Sequence, residues 1–215
     1  MKDYSDYYFG KRTDLIDLIP NGTKKLLSVG CGAGMTERDL TKYIPEVVGV
    51  EKNKKAAKEA AKYLTKVFSG DVEEITLPFN KEYFDCIIYA DILEHLREPE
   101  KVLLKHKRLL SNKGVMIISI PNIRFWYVIY SLLAKGDWVY ADRGLFDKTH
   151  LRNFTYKNFR RLLNKCGFKI IKIRRHFRLF EDDMGKYENL VRKFARWFLR
   201  DFFTFQYILV VNKNE

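Results

Sequence analysis

The residues whose types and spacing best suit chemistry stand in Leu26-Leu27-Ser28-Val29-Gly30-Cys31-Gly32-Ala33-Gly34, an apolar run that ends in glycines at alternate positions. Glycine has no Cβ, so a ligand can approach the backbone of such a loop. A dinucleotide fingerprint asks for glycine or alanine three positions after its second glycine, and that position here is Met35. The pattern is GxGxG, which suits a nucleoside better than a pyrophosphate. The bland alternative is a structural turn with no ligand.

Acids follow at the ends of the next apolar runs. Val47-Val48-Gly49-Val50-Glu51 places a carboxylate where it can accept from both hydroxyls of a ribose, with Lys52 beside it. Without that context Glu51 reads as a solvated acid next to a lysine. In Ser69-Gly70-Asp71-Val72, Asp71 can accept from an adenine amino group while the Val72 amide donates to the ring. Phe84 to Leu96 supplies a further apolar run whose end, at Ala90 and Asp91, faces the same crevice. His95 is expected either to pack or to touch the ligand. His150 lies in a polar loop with Asp142, Arg143, Asp147 and Arg152, and reads either as a general base or as part of a salt-bridge network that pins the loop.

These residues need elements to hold them. Strand-length runs recur at Lys25 to Val29, Val47 to Val50, Lys66 to Ser69, Phe84 to Tyr89 and Val115 to Ser119, and helical segments separate them at Met35 to Lys42, Lys54 to Thr65 and Pro99 to Leu110. Such alternation predicts parallel pairing and a doubly wound α/β sheet. Asn112-Lys113-Gly114 is expected to turn the chain into the fifth strand. A helix from Thr155 to Cys166 and strands at Phe168 to Arg175 and Thr204 to Asn212 complete the set.

In these successive motifs, from about residue 26 to 120, the chain resembles the class I S-adenosylmethionine-dependent methyltransferases. The resemblance implies a Rossmann-like, mostly parallel seven-stranded sheet with a reversed last strand, and helical insertions after strands five and six. It implies S-adenosylmethionine as cofactor, held by Gly30, Cys31, Gly32 and Gly34, by Glu51 and Lys52 at the ribose, by Asp71 and Val72 at the adenine, and by Ala90 and Asp91 near the methionine end. The segment Asp147 to Thr155 is also similar to one in small-molecule methyltransferases of cell-surface glycan and lipid pathways, with quinone-pathway enzymes in the same class.

Composition bounds the rest. The 215 residues, 47% hydrophobic, fit one domain, with an acceptor-side insertion at 122–154 and a basic amphipathic helix at 181–203. In that helix Arg192, Lys193, Arg196 and Arg200 oppose Leu190, Val191, Phe194, Trp197 and Phe198, as expected for packing on the sheet or for lying on a membrane. Phe125 to Ala134 is too short to span a bilayer and is expected to be core or lid. The three cysteines suggest neither disulfides nor a zinc site, no metal is expected, and a reducing cytoplasm is the natural compartment. The net charge of +13 implies an anionic partner.

The expected partner is a small-molecule acceptor, phosphorylated or lipid-linked, with peripheral membrane contact allowed. His150 is the expected base for a hydroxyl, ahead of Asp91. RNA methylation is the runner-up, favoured by Lys172, Arg174, Arg175 and Arg178 but lacking an appended RNA-binding module. A noncatalytic adaptor that kept the fold is the third reading, and intact cofactor motifs weigh against it.

Overall fold

The computed structural model describes residues 8–179 and 199–214. Seven strands form one sheet in the order β3-β2-β1-β4-β5-β7-β6. They are β1 Lys25–Val29, β2 Glu46–Glu51, β3 Lys66–Ser69, β4 Phe84–Ala90, β5 Leu110–Pro121, β6 Phe168–Phe177 and β7 Thr204–Lys213. The pairs from β3 to β5 are parallel, whereas β7 lies antiparallel between β5 and β6.

The central strands bury both faces, which is why they read as unbroken apolar runs rather than as an alternation. Side chains of period two divide between two cores. Leu27, Val29, Ile87, Tyr89, Met116 and Ile118 belong to one face, and Leu26, Cys86, Ile88, Val115 and Ile117 to the other. All three cysteines are buried and free.

Several expected bounds change in detail, and the helices expected over Lys54 to Thr65 and Pro99 to Leu110 end at Ala60 and Lys107. The helix expected over Met35 to Lys42 shortens to Glu37–Leu40, because the hydroxyl of its cap residue Thr36 accepts from the Arg12 amide instead of capping the turn. Asn112-Lys113-Gly114 does not precede the fifth strand but lies within it. Phe84 pairs with Leu110 and Cys86 with Val115, so the three residues are taken up by a bulge.

After β5 the chain forms helix Trp126–Tyr130, which runs on as a π turn, Ser131–Lys135, and stops at Gly136 in the left-handed region. Phe125, Val128, Leu145 and Phe146 build a small core with Phe205 at the start of β7. Asn122 anchors this unit by donating to the carbonyls of Asp201 and Thr204, each at 2.7 Å. Its outer side leaves Leu132 and Leu133 exposed, so Phe125 to Ala134 is part core and part surface. Helix Tyr156–Lys165 opens with a capping box between Thr155 and Asn158. The basic amphipathic helix expected at 181–203 lies mostly outside the described residues, which hold only the short helix Arg200–Phe203 of that stretch. No described helix is long and apolar enough to cross a membrane.

Candidate active site

The C-terminal ends of β1, β2, β3 and β4 meet on one side of the sheet, where a parallel doubly wound fold leaves a crevice. Past the end of β1 the Gly30 and Cys31 amides donate to the Val50 carbonyl, at 2.7 and 3.2 Å, and tie the loop to β2. Gly30 and Gly32 have φ of +73° and +55°. A Cβ on Gly32 would stand 2.7 Å from the Tyr8 carbonyl oxygen, so this position admits no side chain while that contact holds.

Glu51 ends β2 almost entirely buried. One carboxylate oxygen accepts from the Gly32 amide at 2.9 Å, and the other from the Asn53 amide at 2.7 Å. Asn53 in turn caps helix Lys54–Ala60, accepting from Lys55 and Ala56. The helix start and the glycine loop thus fix the carboxylate from two sides. Each oxygen retains a lone pair beyond the amide it holds, so the pair fits a ribose diol. The Gly70 amide donates to the Glu51 carbonyl at 2.9 Å and brings Asp71 alongside. Asp71 accepts from Lys52 Nζ at 2.8 Å and from the Glu73 amide at 2.9 Å, and burial opposed by the Lys52 hydrogen bond leaves its pKa lowered. Val72 is buried behind it.

β4 ends at Ala90, and Asp91 follows in the left-handed region at φ +55°. Its side chain is tied down. Arg12 donates to one oxygen, the Ser119 hydroxyl to the other at 3.0 Å, and the Gln206 amide to both at 2.7 and 2.9 Å. Arg12 also pairs with Asp14. Burial works against its charge, but Asp91 and Asp14 outweigh it and the pKa stands raised. With its oxygens committed to these donors, Asp91 is an anchor for the crevice wall rather than a base.

The next turn, Leu93–His95, carries the part that sequence reasoning missed. Glu94 is 1% exposed, and one carboxylate oxygen has no hydrogen-bond partner. Burial first and Asp91 second push its pKa well above the usual carboxylate range. The Glu94 carbonyl accepts from the Leu151 and Arg152 amides at 2.8 and 2.9 Å, which docks the loop bearing His150 against this turn. The His95 and His150 rings meet edge to face with centroids 4.8 Å apart. Burial, then the neighbouring His95, lowers the His150 pKa and favours the neutral ring. The structure therefore gathers Gly30 to Gly34, Glu51, Lys52, Asp71, Val72, Ala90, Asp91 and His150 on one side of the sheet. A glutamate beside a histidine at a helix start gave no hint in sequence that Glu94 would be buried with them.

Comparison with known proteins gives the family and the fold. A family model described as a methyltransferase domain matches residues 4–173. A ubiquinone biosynthesis O-methyltransferase of Pelagibacter ubique is 30% identical over 102 residues, 46% of this chain and 42% of that protein, so the chain spans under half of its length. A protein of the same name from Coxiella burnetii is 26% identical over 172 residues, 74% of this chain and 73% of that one. A crystal structure of a SAM-dependent methyltransferase from Archaeoglobus fulgidus superimposes with a TM-score of 0.68 at 19% identity, over 98% of this chain and all of that one.

Proposed function

We propose, for a chain that belongs to the methyltransferase-domain family, a transferase that takes its methyl group from S-adenosylmethionine and delivers it to a hydroxyl of a small molecule. The observation that carries the cofactor is Glu51, a buried carboxylate held by the Gly32 and Asn53 amides beside a loop whose glycines leave no side chain in the way. When bound, the cofactor supplies a sulfonium methyl already activated for displacement. The protein's work is to align the two partners and exclude water.

Glu51 would hold the ribose, Asp71 and Val72 the adenine, and the glycine loop with Ala90 the methionine end. The Arg12, Asp91, Ser119 and Gln206 network keeps the β4 end rigid. His150 is the group to take the acceptor's proton, because burial and the neighbouring His95 lower its pKa and favour the neutral ring, which keeps a lone pair. The acceptor side is formed by the aromatic unit after β5, where Trp138 packs edge-on to Phe146 at 4.7 Å. The named relatives methylate oxygen in ubiquinone biosynthesis, which supports a hydroxyl acceptor.

Two of the three arginines that favour an RNA substrate, Arg174 and Arg178, are engaged elsewhere. Arg174 pairs with Asp17 and with the Asp14 carbonyl, and Arg178 lies 4.0 Å over the Phe205 ring. Calorimetry should give micromolar-class binding of S-adenosylhomocysteine and none of NAD. NAD bound with S-adenosylhomocysteine ignored would overturn the reading.

A further inference from the structure

We propose that Glu94, His95 and His150 form a site for one divalent transition-metal ion of the zinc class, at the end of β4 next to the Asp91 network. The three side chains bring one ligand atom each to within 4.8 Å of one another. Two imidazole nitrogens and a carboxylate oxygen are the donor set that zinc takes at catalytic sites, where three protein ligands leave a fourth position open. Bonds of about 2.0–2.1 Å put tetrahedral ligand atoms roughly 3.3 Å apart, so modest side-chain rotations close the set.

Glu94 points to an ion independently. Its carboxylate is buried with one oxygen lacking any hydrogen-bond partner, an arrangement that a cation would relieve. Asp91, whose charge acts on Glu94, is already matched by Arg12.

The His95 ring is also oriented as a ligand is. His95 Nδ1 faces the Thr149 hydroxyl at 3.0 Å and the Thr149 carbonyl at 3.3 Å. The Thr149 hydroxyl hydrogen goes to Asp147 at 2.6 Å, because a carboxylate only accepts. The hydroxyl oxygen therefore accepts from Nδ1–H, and Nε2 keeps its lone pair. Metal-bound histidines typically carry such an acceptor on their second nitrogen.

The open position suits an oxygen ligand, water or the hydroxyl of an acceptor. With an ion bound, the His150 lone pair would be taken up as a ligand, and the ion would supply its charge to lower the pKa of an oxygen ligand whose proton passes to solvent. The base role of His150 is that of the metal-free protein. Metal binding itself stands apart from the methyl-transfer reading.

The test is a titration of the chelator-treated full chain with cobalt(II), read by visible absorption, followed by displacement with zinc and calorimetry with zinc alone. One cobalt per chain, displaced by one zinc, is expected. Glu94→Gln and His150→Ala should each weaken zinc binding roughly a hundredfold or more without moving the metal-free unfolding midpoint, since either loses one of three ligands. His176→Ala, which removes a histidine that is not one of the three ligands, should leave zinc binding unchanged. If Glu94→Gln fails to fold, His150→Ala, on a half-buried loop, decides the matter. Wild-type protein that ignores zinc, or variants that bind it undiminished, would overturn the proposal. Zinc bound normally with S-adenosylhomocysteine ignored would sink the cofactor reading and leave this one standing.

Discussion

Glu51 shows how one side chain is committed by its neighbours before any ligand arrives. Its two oxygens accept from amides on either side of the crevice, so the carboxylate is already aimed. Glu51→Ala should weaken S-adenosylhomocysteine binding by about 1–3 kcal/mol, since charge-assisted hydrogen bonds in a partly buried cleft are lost. Calorimetry with a folding control checks it, and unchanged affinity in a folded variant would move the ribose site elsewhere. Residues of this kind are legible in sequence because the pattern that reveals them is local, an apolar run followed by glycines or an acid. Asp91 was legible as a position but not as an anchor, because Arg12 lies 79 residues away and Gln206 115. Glu94 was not legible at all, since nothing adjacent to it signals burial.

At the scale of elements the parallel strands were readable for the opposite reason. Double burial removes the polar face and leaves runs that turn signals bound cleanly. Helix ends were less so, as at Glu37–Leu40, because Thr36 spends its hydroxyl on a residue 24 positions earlier. Asn112 to Gly114 has turn composition, yet register with β4 makes it a bulge. Helix Tyr156–Lys165 is the converse case, where local chemistry prevails: Thr155 accepts from the Asn158 amide and Asn158 answers to the Thr155 amide. Thr155→Ala should cost about 1 kcal/mol of folding stability, seen as a lower denaturant midpoint, with cofactor affinity unchanged. Affinity falling in step with stability would show that this helix start shapes the crevice.

For the whole molecule, stability should carry a pH signature from Glu37. It is buried beneath the glycine loop's strand, accepting from Ser28 at 2.6 Å, and burial raises its pKa from 4.5 to about 7 against the pull of that hydrogen bond. The native state therefore holds a proton that the unfolded chain releases near pH 4.5. The contribution is full below that value and is lost as pH rises through about 7, a change of about 3 kcal/mol by linkage. Glu37→Gln should remove it, so that the difference in stability between variant and wild type grows across this window. A difference that stays flat with pH would refute the assignment. A different consequence follows from where β7 sits. The last strand in chain order is inserted between β5 and β6, and it delivers Gln206 to Asp91. On the ribosome, where chains emerge N-terminus first, β6 has no partner in the sheet and the Asp91 side chain lacks its amide until residues 204–213 have emerged. The sheet can be finished only after β7 has been made, and a nascent chain halted before it would present the unpaired edge of β5 to its neighbours on a polysome.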